Sequence, residues 1–459
     1  MKYLLPLLGT LSFAVSIDAA VDFSKIVGPV KPVNGINQPP MIGMPLAAPM
    51  FHYLTEAGIP YSRVHDISGW FGGSIYADIP AIFKNFDADE NDPANYSFSF
   101  TDSLITKMFE HGLTPFFRLG VTIENFVQWG FPAQHIAPPK DFAKWARICE
   151  HIIRHYTEGW ADGFRYPIVY WEVWNEPDNN PDPKINPQWT ASFEEYIRFY
   201  GVVAPYLKKC FPKCKIGGYG SCGFYAAAKS ERVFAANSSS QLQYFVDCSH
   251  KFLAAVRDNG WPLDFFSFHS YSNPKDALAQ VRCADEHLTS YGFTRDRTER
   301  IFNEWLPFVK FRGTARQAAG VAAELIGLQN GPCDLACVYD GRCSTGNYAA
   351  IFSADTQRPR KAYWSFYGFN ELRKLGKAVE LPPTPEGIYA AAATDGAGHA
   401  AVLMANIGEE PWTCDFDFGD YRLVYSAVVD ADTDYGVRPF DGKLPPETVR
   451  MLYLEKSAK

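Results

Sequence analysis

IVYWEVWNEPDNN, residues 168–180, decides how the whole chain is read. Its first half is β-branched and aromatic with one charge, Glu172, the composition of a strand buried on both faces. It then turns polar. Trp174-Asn175-Glu176-Pro177 sets an amide and a carboxylate at the point where proline ends the pairing.

The same kind of segment recurs on either side. MIGMP (41–45), YSRVHD (61–66), TPFFRLG (114–120), IVYWEVWN (168–175), CKIGGYGS (214–221), DFFSFHSYS (264–272), RIFNEW (300–305) and DLACVYD (334–340) all read as strands. Helical patterns such as FAKWARICEHIIRHYTEGW, FEEYIRFYGVVAPYLKKC and ARQAAGVAAELIGLQ lie between them. Eight strands, each followed by a helix or long connection, is the count of an α/β fold of the (β/α)8 or TIM-barrel type, placed over residues 41–375. Residues 75–96 break the alternation, and FDADENDPANYS within them reads as a surface insertion.

PRKAYWSFYGFNEL supplies the last barrel helix. Residues 376–459 then show short alternating runs separated by Gly, Pro and Asp, the pattern of a smaller C-terminal β-sandwich. Residues 21–40, VDFSKIVGPVKPVNGINQPP, are expected to lend it a strand before the chain enters the barrel. Residues 1–20 carry one Lys, an apolar run too short to span a bilayer, and small residues, which reads as a signal peptide. The expectation is a soluble protein, secreted or periplasmic, with no membrane span.

Ten cysteines suit an oxidising compartment. Cys210/Cys214/Cys222 and Cys333/Cys337/Cys343 cluster, but without the C-x-x-C spacing or His partner of a zinc site, so disulfides or free buried thiols are expected. A hydrophobic share of 47% implies a large core, and a net charge of −8 with no basic patch argues against a nucleic-acid partner.

Barrels of this type place their chemistry at the C-terminal ends of the strands. Glu176 ends the fourth strand and Glu304, in IFNEWLP, ends the seventh; these strands lie nearly opposite across the mouth. Alone, either Glu has a bland explanation as a turn residue or an ion-pair partner. Together, each preceded by Asn and lying beside Trp174 and Trp305, they match the two facing carboxyls that glycoside hydrolysis needs.

WNEP at the end of the fourth strand with a Glu ending the seventh resembles the clan A retaining glycoside hydrolases. Within that clan, YSRVHD, YWEVWNEPD, KIGGYGS and FHSYS most resemble glycoside hydrolase family 39, the β-xylosidases and α-L-iduronidases. The resemblance implies Glu176 as acid/base, Glu304 as nucleophile and Asn175 as partner of the sugar 2-hydroxyl. It implies His269 and Tyr271 near the sugar and the nucleophile, and His65 as a substrate contact. Arg63, on the same alternation as His65, and Trp305 join the expected contacts. Two positions depart from the family pattern: Asn303 stands where Thr is common, and the eighth strand ends CVYDGRCS without a Trp. Tyr339, Asp340 and Arg342 are therefore expected to shape the subsite. Trp70, Trp129 and Trp189, in loops after strands, are candidate stacking platforms.

The function implied is retaining hydrolysis of an oligosaccharide or polysaccharide, exo-acting and β-xylosidase-like or acting on a related pentose or uronic acid, with no metal or organic cofactor. The alternatives are an endo-acting or oligosaccharide-releasing enzyme of the clan and a carbohydrate-binding protein without chemistry. A serine hydrolase is not indicated, because Tyr219 occupies the first glycine position of G-x-S-x-G in YGSCG.

Overall fold

The structure, a computed structural model, describes residues 20–40, 50–65, 77–120, 136–230, 237–344 and 346–457. MIGMP at 41–45, Trp70, Trp129 and the N-terminal stretch read as a signal peptide, except Ala20, lie outside those residues. The chain opens with β1 (Ile26–Pro29) and then enters a closed barrel of eight parallel strands. These are β2 (Gly35–Asn37), β3 (Tyr61–Val64), β4 (Thr114–Leu119), β5 (Tyr170–Val173), β6 (Lys215–Ser221), β7 (Phe265–Ser270), β8 (Glu299–Trp305) and β9 (Leu335–Val338). β2 closes the ring by pairing with both β3 and β9.

One expectation is corrected here. The closed ring takes its first strand from Gly35–Asn37, inside the segment assigned to the other domain and ahead of the expected start at 41. Three residues are too few for a period-2 pattern to show, so the signal was below reading. A side chain at Gly35 would meet the Ala336 carbonyl and the Cys337 sulfur at 2.7 and 2.8 Å, which is why the strand begins on glycine.

The helices are α1 (Phe51–Glu56), α2 (Ile79–Ile82), α3 (Ser99–Glu110), α4 (Phe142–Thr157), α5 (Phe193–Cys210), α6 (Ser239–Asn259), α7 (Pro274–Ser290), α8 (Ala315–Asn330) and α9 (Lys361–Leu375). Asp141, Ser192, Ser238, Asn273 and Thr314 cap the starts of α4 to α8 by accepting a backbone N–H of the first turn. Trp171 and Val173 of β5 face these helices, while Tyr170 and Glu172 alternate inward. Inside the ring, Phe116, Tyr170, Phe265, Ile301, Leu335 and Cys337 fill the lower layer. The insertion at 86–97 is tied down: Lys144 and Arg147 of α4 pair with its Glu90.

After the ribbon β10 (Phe352–Ser353) and β11 (Arg358–Pro359), the chain builds β12 (Lys377–Val379), β13 (Ile388–Thr394), β14 (His399–Asn406), β15 (Trp412–Thr413), β16 (Tyr421–Val429), β17 (Asp434–Val437), β18 (Lys443–Leu444) and β19 (Thr448–Lys456). Seven strands form one antiparallel sheet in the order β1-β12-β13-β14-β19-β16-β17. Its alternation is clean: Ala391, Ala393, Ala401, Leu403 and Met451 join the core against the barrel helices. Ala392, Ala400, Val402, Met404 and Leu452 face the other way, under Val21, Phe23, Leu444 and the β15–β18 ribbon. None of the ten cysteines is in a disulfide, and five of them are buried.

Candidate active site

The mouth of the barrel is built where strand geometry becomes irregular. Trp174 and Glu176 have φ of 72° and 42°, left-handed values that cost energy for residues with a Cβ. They are held by what surrounds them. The Trp174 indole donates to the Gln188 carbonyl at 2.9 Å, its ring packs against Trp145, Trp189 and Phe199, and the Glu176 N–H donates to the Gly220 carbonyl at 3.0 Å. On the opposite side, register shifts on β8 mark a bulge that lets Asn303 and Glu304 both reach inward.

These irregularities bring Glu176, His269 and Glu304 together, with one side-chain donor atom from each within 4.8 Å of the others. Glu304 Oε1 accepts from Arg63 Nη1 at 2.5 Å and Oε2 from the Tyr271 hydroxyl at 2.8 Å. Glu176 has different neighbours: its Oε1 lies 2.8 Å from His269 Nδ1, and its Oε2 accepts from the Asn179 amide at 2.8 Å. One carboxylate is therefore gripped by a cation and a phenol, the other by an imidazole and a neutral amide.

Two polar groups aim into the site without a protein partner. Asn175 gives its Oδ1 to Arg63 Nη2 at 2.7 Å, leaving its amide N–H2 unpaired, and His269 Nε2 is likewise unpaired. Gly220, at φ 63°, makes room for both: a Cβ there would lie 3.1 Å from Asn175 Oδ1 and 3.3 Å from His269 Nε2. Buried polar atoms left open in this way call for a partner, and a polar ligand in the mouth would supply one.

Several expected contacts take other positions. Trp305 is fully buried and stacks on Phe302 and Phe366, because the residue after the bulge turns to the helix side; it has no face for a sugar. Trp189 is likewise buried, behind Trp174. Arg63 is wholly buried with its nitrogens given to Glu172, Glu304 and Asn175, so it organises the site and does not read a ligand. His65 is buried with its nitrogens 2.8 Å from Asn37 Oδ1 and 3.3 Å from the Gln38 amide, and belongs to the wall. Tyr271 and Tyr339 do line the mouth, joined by Tyr348 at ring distances of 5.5 and 5.2 Å. Arg342 pairs with Asp340 at 2.7 Å; burial raises the Asp340 carboxyl above its ordinary value even so.

Sequence reading missed Asn37, Asn179, Tyr348 and Asp178. Asn37 donates to the Asn303, Cys337 and Val338 carbonyls and lies in the strand that was placed too late. Asp178, two residues beyond Glu176, is fully buried, accepting from the Ser221 hydroxyl at 3.1 Å and the Cys222 N–H at 3.2 Å. Burial, and then the charge of Glu176, push its carboxyl up to about 7. Its place in WNEPD was the available signal.

The comparisons agree with this geometry. A β-xylosidase of Geobacillus stearothermophilus is 23% identical over 211 residues, which are 44% of this chain; the match spans 36% of that relative's length. A glucosidase from Croceicoccus marinus superposes with a TM-score of 0.71 at 17% identity, covering 96% of this chain and 99% of its own. The GH39 enzyme from Xanthomonas axonopodis pv. citri does so with a TM-score of 0.64 at 16% identity, covering 95% and 97%. At those identities the two structures speak for the fold. The family model for glycosyl hydrolases family 39 matches residues 50–312, more than half of the 459, and the chain belongs to that family.

Proposed function

We propose that this family 39 protein hydrolyses glycosides with retention of configuration. Glu304 attacks the anomeric carbon while Glu176 protonates the leaving oxygen; a water deprotonated by Glu176 then releases the sugar from Glu304. The carrying observation is the closeness of the two carboxyls, with oxygens within 4.8 Å. Separations near 5 Å suit a covalent intermediate, whereas inverting pairs stand about 6.5–9.5 Å apart to seat a water. The contacts support the assignment of roles: Arg63 and Tyr271 each hold one oxygen of Glu304 and so aim it across the mouth, while Glu176 meets the His269 imidazole and the Asn179 amide. The unpaired Asn175 amide supports a sugar 2-hydroxyl contact.

The substrate class we assign is a β-xyloside or a related pentose or uronic-acid glycoside, cleaved from a chain end. The β-xylosidase relative and the three-tyrosine mouth support this reading. We assign the protein to a secreted or periplasmic location on the N-terminal sequence. A panel of aryl β-xyloside, α-arabinofuranoside, β-glucoside and α-iduronide, run beside xylan and other polysaccharides, tests it. Release of the aryl group from one or two monosaccharide glycosides, with monosaccharide as the product from polymer, is expected. Random internal cleavage of polymer with inert aryl monosaccharides would replace this reading with endo action.

A further inference from the structure

Glu172 is the single charge in the wall of β5, and the reaction as described does not use it. It is fully buried and accepts three hydrogen bonds, one from each of three other strands. Arg63 Nε reaches its Oε2 at 2.7 Å, while the Ser267 hydroxyl and the Asn303 amide reach its Oε1 at 2.6 and 2.7 Å. Arg63 thereby stands between two carboxylates, Glu172 on Nε and Glu304 on Nη1. A guanidinium is a rigid planar fork, so fixing Nε fixes the direction in which the two terminal nitrogens point. Those nitrogens hold the nucleophile and Asn175.

We propose that Glu172 is a positioning residue for the nucleophile: by sharing Arg63 with Glu304 it aims the guanidinium and keeps it from neutralising the attacking carboxylate completely. This rests on the reading of Glu304 as nucleophile. Two negative groups around one positive group leave the trio with a net negative charge, so Glu304 is oriented by Arg63 without losing its electron-donating power to it. Burial alone would push the pKa of Arg63 down, but Glu172 and Glu304 outweigh it and raise it above its ordinary value, which keeps the guanidinium protonated. The groups facing the trio are Asn175 and Glu176 from the end of β5, His269 and Tyr271 from β7 and its end, Cys337 from β9 and Tyr196 from α5; Asp178 acts on Glu176 from behind. Asn303 stands at the position where the sequence departs from the family pattern, and it spends its amide on Glu172.

The test compares the pH dependence of kcat/KM in Glu172→Gln, Glu172→Asp and Glu304→Gln on an activated aryl glycoside that the wild type hydrolyses. Gln fits the site sterically, and the Asn303 Oδ1, which has no partner, can serve its amide after a side-chain flip. Removing the charge should lower the plateau about a hundredfold and move both limbs of the bell about one pH unit to the acid side, since a negative charge is lost beside both carboxyls. A merely structural defect lowers the plateau and leaves the limbs in place. Glu172→Asp keeps the charge but withdraws it from Arg63, so kcat should fall with the limbs unmoved. An unshifted bell in Glu172→Gln, or wild-type kcat in Glu172→Asp, overturns the proposal. If Glu172→Gln yields no folded protein, Glu172→Asp decides by its kinetic split: a fall in kcat at unchanged KM is expected, and wild-type kcat or a loss confined to KM overturns the proposal. Activity retained in Glu304→Gln would instead overturn the assignment of the nucleophile.

Discussion

Glu176 and Glu304 carry the same functional group in different surroundings, and the proposed double displacement asks opposite tasks of them. Glu304 faces a guanidinium and a phenol; Glu176 faces an imidazole and an amide, with the buried Asp178 behind it. Glu304→Gln is expected to cost about 10⁴-fold or more in kcat on an activated aryl glycoside, because a positioned group acting as a unit with its partners is removed outright. Tyr271→Phe removes one hydrogen bond from the nucleophile and should cost about tenfold to a hundredfold, with the protein melting as the wild type does. The positions of these residues, though not their roles, were legible from the chain. Glu176, Glu304, His269 and Tyr271 sit at strand ends, where period-2 alternation and the barrel rule together give direction as well as position. Trp305 and Trp189 were misread because an aromatic residue at a strand end signals burial without saying toward which layer. The engagement of Arg63 with three partners was hidden for a different reason: those partners come from other strands, and pairings across a barrel leave no local trace.

At the scale of single elements, the end of β5 depends on the aromatic nest that supports it. Trp189 packs edge-on to Trp174 and Tyr196, and its indole donates to the Ser192 carbonyl at 2.9 Å. Trp189→Ala should destabilise the fold by about 3–5 kcal/mol, as large buried aromatics do, and should slow the folded enzyme by releasing Trp174 and with it Glu176. Circular dichroism melts and kcat measured below the transition separate the two effects. Helix α8 carries a different strain. Glu324 is fully buried in the layer between barrel and sheet, neither oxygen has a hydrogen-bond partner, and burial raises its carboxyl well above 4.5. A carboxyl raised on folding is protonated in the native state and ionised in the unfolded one over the intervening pH range. Stability is therefore greatest below the unfolded value and falls as pH rises toward the folded one. Glu324→Leu should raise the melting temperature at pH 8 and have far less effect at pH 4, with the gain growing by at most about 1.4 kcal/mol per pH unit. Equal gains at both pH values would refute that origin. The helical pattern ARQAAGVAAELIGLQ announced α8 plainly, but an amphipathic reading assigns Glu to solvent, and only the sheet laid over this face reverses it.

For the whole molecule, the two borders of the barrel are joined: β1, ahead of the barrel, pairs antiparallel with β12, just after it, so the small sheet closes around both. The alternation of strands and helices made the barrel legible, and Gly, Pro and Asp punctuation made the second domain legible. The short β2 was not, because three residues carry no period. The fold as a unit should be most stable on the acid side of neutrality. Asp178, pushed up to about 7, adds to Glu324 in the same direction, its contribution being lost as pH rises from 3.8 through about 7. Denaturant titrations at pH 5 and pH 8 check this, with the higher midpoint expected at pH 5. The central claim concerns the distance across the mouth, and the stereochemistry of the first product reports on it most directly. Proton NMR of an aryl glycoside hydrolysis, recorded before mutarotation, should show the sugar released in the same anomeric configuration as the substrate. Appearance of the opposite anomer first would contradict a double displacement at Glu304 and with it the account of the site.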